Sequence, residues 1–267
     1  MAAKLRSPAR WPAPLVHAAA GAAIALASSL VARAVLAQPA GGRAAADDLL
    51  TRPIALVVAL ALVALLPFAF MTLTAFVKIS TVLQIVRGAI GAQNVPSNTV
   101  IMALAGALTL LAMAPVGSRI SDRAAPLLKP EKTLDTSAFV EGAIEATREP
   151  LRGFLKANAS ERERTRFFEI ARLARPEAER AGVGRDDLVV LVPSFVTTEL
   201  VEAFALGFAI YLPFLIIDLV VSNVLLALGM QMMSPTQVSL PFKLLLFVAI
   251  DGWGLLAQAL VTGYRPG

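Results

Sequence analysis

Residues 53–77 read PIALVVALALVALLPFAFMTLTAFV, a run of 25 residues without a charged side chain. A helix of about 20 apolar residues can cross the hydrocarbon core of a bilayer, so we expect a membrane span here, with a kink at Pro67. A second apolar run covers residues 99–116, and Ser97 or Asn98 is the expected cap of its helix. The two helices are predicted to form a hairpin.

The C-terminal part of the chain is apolar again. We expect one helix from residue 193 to about residue 218 and a last helix from about residue 239 to residue 262. Residues 219–242 carry no charge, but Gly229 and Pro235 interrupt them, which favours a helix, a turn and another helix over one straight span. The serine before Pro235 completes the pattern of a cap followed by proline at the first helical position.

Residues 118–188 have a different composition. Residues 117–188 contain 14 Lys/Arg and 13 Asp/Glu, which is 27 of the 43 charged residues of the chain. The pattern is amphipathic, and Ser160 followed by Glu163 has the spacing of a capping box. We expect a small soluble helical domain at 118–188, inserted between the apolar helices.

The N-terminus has the layout of a secretory signal. Lys4, Arg6 and Arg10 precede an apolar stretch, and small residues follow it. We expect a signal peptide over residues 1–37 and a polar linker over 38–52. An uncleaved N-terminal helix is the alternative.

The overall composition is that of a membrane protein. The chain is 57% hydrophobic and 16% charged, with a mean hydropathy of +0.71, whereas soluble domains are about 45–50% apolar and about 25% charged. The predicted fold is all-α, with integral membrane-type helical hairpins at 53–117 and 189–267 around the insert. The excess of Lys and Arg on cytoplasmic sides of membrane proteins places Lys78 and Arg87 inside and the insert on the extracytoplasmic side.

The residue inventory excludes several kinds of chemistry. The chain has no Cys and a single His, His17, so disulfides, thiolate or histidine zinc sites and Ser–His–Asp triads are not expected. No phosphate-binding Gly-Lys-Ser/Thr loop and no basic stripe interleaved with aromatics is present. Asp218 and Asp251 lack the Gly-x-Gly-Asp context of intramembrane aspartyl proteases. We therefore expect no enzyme, no metal, no cofactor and no nucleic-acid partner, and we expect membrane lipid as the surroundings.

Seven ionisable side chains lie in or beside the apolar segments, where one unpaired charge costs about 2.5–3.5 kcal/mol on insertion scales. They are Lys78, Arg87, Glu199, Glu202, Asp218, Lys243 and Asp251. Lys243 is expected to pair with Glu199 or Asp218, within one copy or between copies. One interpretation is that these charges fix helix assembly. Another is that they bind the solute of a small-solute membrane transporter.

A methionine cluster follows Gly229 at the predicted break between two helices, at Met230, Met232 and Met233. Methionine is unbranched and polarizable, so it packs against irregular partners. A ring of such loops would form a deformable hydrophobic constriction that excludes water. Ordinary core filling is the alternative for the same cluster.

The chain carries two blocks of short motifs. The first contains LPF (66–68), FVKIS (76–80), VR (86–87), Gly91, VPSN (95–98) and MAPV (113–116). The second contains LVPSF (191–195), EL (199–200), Phe204, GF (207–208), LPFLIIDLV (212–220), LALGM (226–230), SP (234–235), LPFKL (240–244) and DGW (251–253). These blocks resemble the FliP/SctR family of flagellar and virulence-type III secretion systems, and FVKIS together with the SP motif favours the SctR branch.

The resemblance implies a core subunit of the type III export gate in the bacterial inner membrane. Such subunits form a pentamer and assemble with SctS/FliQ-like and SctT/FliR-like membrane subunits into a closed channel for unfolded protein substrates. The methionine cluster would then be the gasket of the gate. In the assembled gate much of each subunit lies above the bilayer plane, so the predicted spans describe the inserted monomer.

Two positions depart from the family pattern. The chain has RGAIG at 87–91 where family members usually have RNALG. Gln231 interrupts the methionine run and places an amide in the expected seal. Either the seal is leakier for it, or the Gln231 side chain points into the subunit.

Overall fold

The computed structural model describes residues 48–92, 95–128 and 136–267. The expected signal peptide and the expected linker up to residue 47 lie outside these ranges. Within them the regular structure is helical and contains no strand, which confirms the all-α prediction. The α-helices are α1 (Asp48–Leu73), α2 (Phe76–Ile90), α3 (Asn98–Ala124), α4 (Thr136–Asn158), α5 (Glu161–Leu173), α6 (Leu188–Ala227), α7 (Pro235–Ala249) and α8 (Gly252–Thr262).

The first apolar run is bent rather than straight. The sequence predicted one span with a kink at Pro67, but α1 continues through this proline and ends at Leu73. The axes of α1 and α2 then differ by 75°. Thr74 stabilises the break, because its hydroxyl donates to the Phe70 carbonyl at 2.5 Å and accepts from the Phe76 amide at 3.3 Å. Thr74 therefore satisfies one backbone amide freed by the bend and adds a bond at the end of α1.

Helix α2 packs along α6 and supplies much of the larger core. Lys78 meets Glu199 and, further along, Ile85 meets Gly207, so the two helices run in the same direction. A Cβ at Gly207 would lie 2.5 Å from Ile85 Cδ1, so a residue without a side chain allows the close approach. Around this contact the core collects Val82 of α2 and buried side chains of α3, α7 and α8.

Helix α3 begins as expected and ends later than expected. Ser97 is its N-cap and accepts a hydrogen bond from the Val100 amide. The helix was predicted to end near residue 116, yet it continues past Pro115 to Ala124. Val116 is buried in a second core with Phe154 of α4, so packing against α4 keeps the segment after the proline helical.

The polar segment folds into α4, α5 and two short 3-10 helices, Ala125–Leu128 and Glu177–Gly182. Ser160 caps α5 by accepting from the Glu163 amide at 3.3 Å, as the capping box predicted. The other half of the box is replaced, because the Ser160 amide donates to the Thr198 hydroxyl on α6. This contact attaches the polar segment to the long apolar helix.

Helix α6 has 40 residues, which corresponds to a length of about 60 Å. It begins at Leu188, five residues before the predicted start, and it continues beyond Asp218 to Ala227. Gly229 ends it in a left-handed conformation with φ 73°. The Gly229 amide donates to the Leu226 carbonyl at 3.0 Å and the Met230 amide to the Leu225 carbonyl at 2.9 Å. These two bonds form a Schellman motif.

The final segment is also bent. Ser234 occupies the N-cap position of α7 without a side-chain capping bond, and Pro235 lies in the first turn, where it was predicted. One helix was expected over residues 239–262, but α7 and α8 meet at an angle of 58°. Asp251 has a left-handed φ of 52° at the bend, and a Cβ at Gly252 would lie 2.3 Å from the Phe247 ring. Position 252 therefore requires glycine to pack closely on the Phe247 ring, and the chain changes direction there.

Candidate functional site

Two groups of ionisable side chains lie between the apolar helices. The first, which we call the Lys78 cluster, consists of Lys78, Glu199 and Glu202. Lys78 Nζ lies 2.6 Å from Glu202 Oε2 and 3.1 Å from Glu199 Oε1. The Glu199 side chain is 1% exposed, whereas that of Glu202 is 55% exposed. The Lys78 ammonium therefore forms ion pairs with two carboxylates, one buried and one half-exposed.

Tyr264, just after α8, closes the Lys78 cluster. Its hydroxyl donates a hydrogen bond to Glu199 Oε2 and also lies 3.2 Å from the Ala75 carbonyl oxygen. The Lys78 ammonium lies 4.6 Å from the centre of the tyrosine ring, in cation–π geometry. Tyr264 was not predicted, because nothing in the sequence around a tyrosine outside the apolar runs indicates which residues it contacts.

The second group, the Lys243 cluster, consists of Asp218, Ser239 and Lys243. Lys243 Nζ lies 2.6 Å from Asp218 Oδ2, and the Ser239 hydroxyl donates to Asp218 Oδ1 at 2.6 Å. Asp218 was one of the two partners expected for Lys243. Ser239 was missed, although it precedes Lys243 by one helical turn and therefore shares its face.

Lys243 also caps the end of another helix. Its ammonium donates to the Ala89 carbonyl, in the last turn of α2, at 3.2 Å. A cation is favourable at a helix C-terminus, where carbonyl groups lack intrahelical partners. The Lys243 cluster therefore joins α2, α6 and α7 at one point.

The remaining two of the seven predicted residues belong to neither cluster. Arg87 is half-buried in the last turn of α2, and no carboxylate of the described residues lies within ion-pair distance of it. Asp251 is exposed at the bend before α8. Asp218 is bonded to Lys243 and Ser239, so it is not the shared-proton partner of Asp251 that an aspartyl protease would need.

The methionine cluster lies in the connection between α6 and α7, residues 228–234, which we call the Met loop. Met230, Met232 and Met233 are 41%, 102% and 44% exposed, and Gln231 is exposed as well. None of these side chains fills the core of the protomer. The core-filling alternative for the three methionines is therefore not what the structure shows.

The described residues offer no group of three or more His, Cys, Asp or Glu side chains that could hold a metal ion. Their carboxylates in the apolar region are instead engaged by ammonium, hydroxyl or helix-end groups. The ion pairs of Lys78 and Lys243 join neighbouring apolar helices, and the Met loop remains exposed.

Much apolar surface remains uncovered. Within the described residues, the segments Asn98–Leu127 and Leu188–Ala227 are long and apolar enough to cross a membrane, and there are up to four spans if each bent pair counts as one. Only 11% of the apolar window in Leu188–Ala227 is buried. Phe204, Phe208 and Ile216 are each about 60% exposed on this helix. A chain with such a surface is a helical membrane protein whose outer faces are covered by lipid or by other subunits.

The sequence matches the FliP family over residues 59–260, and the chain belongs to this family. The probable translocation protein y4yL of Sinorhizobium fredii is 45% identical over 215 residues, covering 80% of this chain and 96% of that protein. The hypersensitivity response secretion protein HrcR of Ralstonia nicotianae is 42% identical over 210 residues, covering 79% and 96%. The Yop proteins translocation protein R of Yersinia pestis is 42% identical over 209 residues, covering 78% and 95%. These relatives fit the SctR branch.

Proposed function

We propose that this protein is a core subunit of the export gate of a type III secretion system. Several copies, together with other membrane subunits, would enclose a closed channel for unfolded protein substrates. The observation that carries the proposal is the exposed Met loop, since three methionines at the tip of a helical hairpin contribute nothing to the protomer's own core. Membership of the FliP family, with relatives named for secretion and translocation, supports it.

The Met loop suits a seal that must open for a polypeptide. Apolar side chains that meet at a narrow point exclude water and ions by dewetting. Unbranched thioether side chains change rotamers easily and close again around irregular chains. In a ring of copies, Met230, Met232 and Met233 would form the gasket, and the exposed Gln231 would place its amide beside them.

Side-chain contacts join the two helices of the hairpin that carries the Met loop. Asp218 on α6 is joined to Ser239 and Lys243 on α7, and Lys243 is joined to the end of α2. The loop connecting α6 and α7 is not part of these contacts. We infer that gating moves the Met loop and leaves the hairpin in place.

The uncovered apolar faces support assembly with partners. A pentamer with SctS/FliQ-like and SctT/FliR-like subunits is the composition that the family resemblance implies. We place the complex in the bacterial inner membrane, with the polar segment formed by α4 and α5 on the extracytoplasmic side. Energy for export comes from other components, because the chain has no nucleotide-binding loop.

A small-solute transporter is not favoured. Both lysines that could bind a solute carboxylate are already engaged, Lys78 by Glu199 and Glu202 and Lys243 by Asp218. The named relatives are secretion and translocation proteins.

The proposal is tested by purification and by secretion. Co-expressed with its neighbouring small hydrophobic membrane proteins and extracted in mild detergent, the tagged chain should purify as a stable complex containing several copies of itself. A deletion strain should lose secretion of a reporter substrate and regain it with the intact gene. The variant Arg148→Ala, on the exposed surface of α4, is the matched control and should restore secretion as well as the intact gene does. A monomer that transports a small solute, with secretion unaffected by the deletion, would contradict the proposal.

A further inference from the structure

A half-open pocket lies beside the Lys78 cluster, between α2, α6 and α8. It is bounded by Lys78, Glu202, Leu206, Ala259, Leu260 and Gly263. The carboxylate of Glu202 is 55% exposed at its wall. The nearby outer surface of α6 is apolar, with Val201 and Phe204 about 60% exposed. When lipid or protein covers this surface, a half-open carboxylate loses water and needs a compensating cation.

The Lys78 cluster lacks one hydrogen-bond donor. Lys78 lies closer to Glu202 than to Glu199, at 2.6 Å against 3.1 Å. Glu199 Oε1 is buried, and the Lys78 ammonium at 3.1 Å forms an ion pair with it but no well-directed hydrogen bond. A second cation on Glu202 would allow the Lys78 ammonium to turn fully to this oxygen. The cluster would then be balanced in charge and in hydrogen bonds.

The chain itself provides a suitable cation. Of the three cations among the seven ionisable residues predicted in or beside the apolar segments, Lys78 and Lys243 are paired, and Arg87 has no carboxylate within ion-pair distance among the described residues. Arg87 follows Lys78 by nine residues on α2, which is two and a half turns at about 3.6 residues per turn. It therefore lies on the face of α2 opposite Lys78, away from the pocket of its own protomer.

Asp251 is the competing carboxylate for this arginine. It is exposed, but it lies at the N-terminal end of α8, and a Cβ at Gly254 would be 2.3 Å from its Oδ2. A carboxylate folded over the first turn of a helix is stabilised by the positive end of the helix dipole. Asp251 thus has less need of a cation than Glu202.

We propose that the pocket receives the Arg87 guanidinium of a second copy of this chain, which forms an ion pair with Glu202. The planar guanidinium offers paired N–H donors that match a carboxylate. The contact joins two different surfaces of the protomer, so it is head-to-tail and can repeat from copy to copy. It rests on the proposed multi-copy assembly and identifies one contact that would hold it together.

Site-specific cross-linking tests the contact directly. The chain has no Cys, so Arg87→Cys in one tagged copy and Glu202→Cys in another introduce the only thiols of this protein in the complex. With the partner subunits co-expressed, a short bifunctional thiol reagent should link one copy of each kind in the membrane. The pair Arg148→Cys and Glu202→Cys is the control and should stay unlinked.

A double-mutant cycle adds the energetic test. Arg87→Gln and Glu202→Gln should each lower the yield of multi-copy complex about thirtyfold, as expected for truncating one partner of a desolvated charge pair. The double variant should lose no more than either single variant, because the second change removes a partner that is already missing. Arg87→Gln should leave the protease resistance of the protomer at the wild-type level, whereas Glu202→Gln also removes the internal ion pair with Lys78 and is therefore interpreted through the double variant.

The possible results distinguish a failure of the Arg87–Glu202 contact from a failure of the multi-copy assembly. Multi-copy complexes that form without the 87–202 cross-link, or yields that fall additively, overturn the contact and leave the assembly standing. A cross-link from position 202 to a protein of different mass also overturns it, because another subunit then supplies the cation. If the wild-type chain forms no multi-copy complex, the assembly fails and the contact with it.

Discussion

Tyr264 donates a hydrogen bond from its hydroxyl to Glu199, a residue 65 positions away in the chain. The same ring stacks on Phe154 with centroids 5.9 Å apart. Phe154 belongs to the smaller core, which holds the polar segment, and Glu199 belongs to the Lys78 cluster between apolar helices. Tyr264, just after α8, therefore connects the smaller core with the Lys78 cluster.

Removing the Tyr264 hydroxyl should destabilise the protein. Tyr264→Phe keeps the ring contacts and deprives a buried carboxylate oxygen of its donor, which costs about 1–3 kcal/mol. The free energy of unfolding, measured by SDS titration in mixed micelles, should fall by this amount. The chain's other tyrosine provides the control, because the Tyr211 hydroxyl has no hydrogen bond in the described structure. Equal losses for Tyr264→Phe and Tyr211→Phe would show that the bond to Glu199 contributes nothing.

A methyl group at Gly207 should separate α2 from α6. The Cβ of Gly207→Ala would lie 2.5 Å from Ile85 Cδ1, and overpacking of this kind costs about 1–3 kcal/mol. Gly106→Ala in α3 is the matched control, because nothing lies within 4 Å of its Cβ position. This control should be neutral or gain up to about 1 kcal/mol from better helix propensity. If Gly207→Ala were also neutral, the close approach of the two helices would be wrong.

Shortening the Met loop side chains should make the assembled gate leak. Replacing Met230, Met232 and Met233 by Ala should raise the ion conductance of the purified complex in planar bilayers, because smaller side chains leave a wetted opening. Unfolding of the protomer should hardly change, since Met232 is fully exposed. Met71→Ala, an exposed methionine on α1, is the control. Background conductance in the triple variant would refute the gasket role.

The polar segment should lose stability in acid through Asp186. The hydrogen bond from Lys156 lowers the pKa of this carboxyl below its usual 3.8, aided by the charges of Lys156, Arg164 and Arg152 and opposed by desolvation. A lowered folded-state pKa means that the contribution is complete above the unfolded value, near pH 4, and is lost as the pH falls through the folded value.

A comparison with Asp186→Asn isolates this contribution. The variant should be less stable than wild type at neutral pH, and the difference in thermal midpoint should shrink as the pH falls below about 4. Glu145→Gln, at an exposed carboxylate with no ion pair in the described ranges, should show little difference at either pH. A gap between Asp186→Asn and wild type that stays constant in acid would refute the argument.

Several features could be predicted from the sequence because they depend on residues that are close together in the chain. The caps at Ser97 and Ser160 and the helix start at Pro235 depend on backbone groups within a few residues, so the sequence predicted them correctly. The same holds for the all-α class, because uncharged runs of this length require helices in a bilayer. The break after α6 was predicted because Gly229 and Pro235 interrupt the apolar run, and the structure adds that Gly229 is left-handed.

The tertiary structure decided what local patterns could not. Pro67 and Pro115 lie inside helices, and at Pro115 the packing of Val116 against Phe154 outweighs one lost backbone bond. Lys78 meets Glu199 because α2 docks along α6 in the same direction, a relationship that no spacing along the chain encodes. The role of Tyr264 follows from that docking. Helix propensity and capping depend on a few neighbouring residues, whereas the burial of a charge depends on which distant helix packs against it.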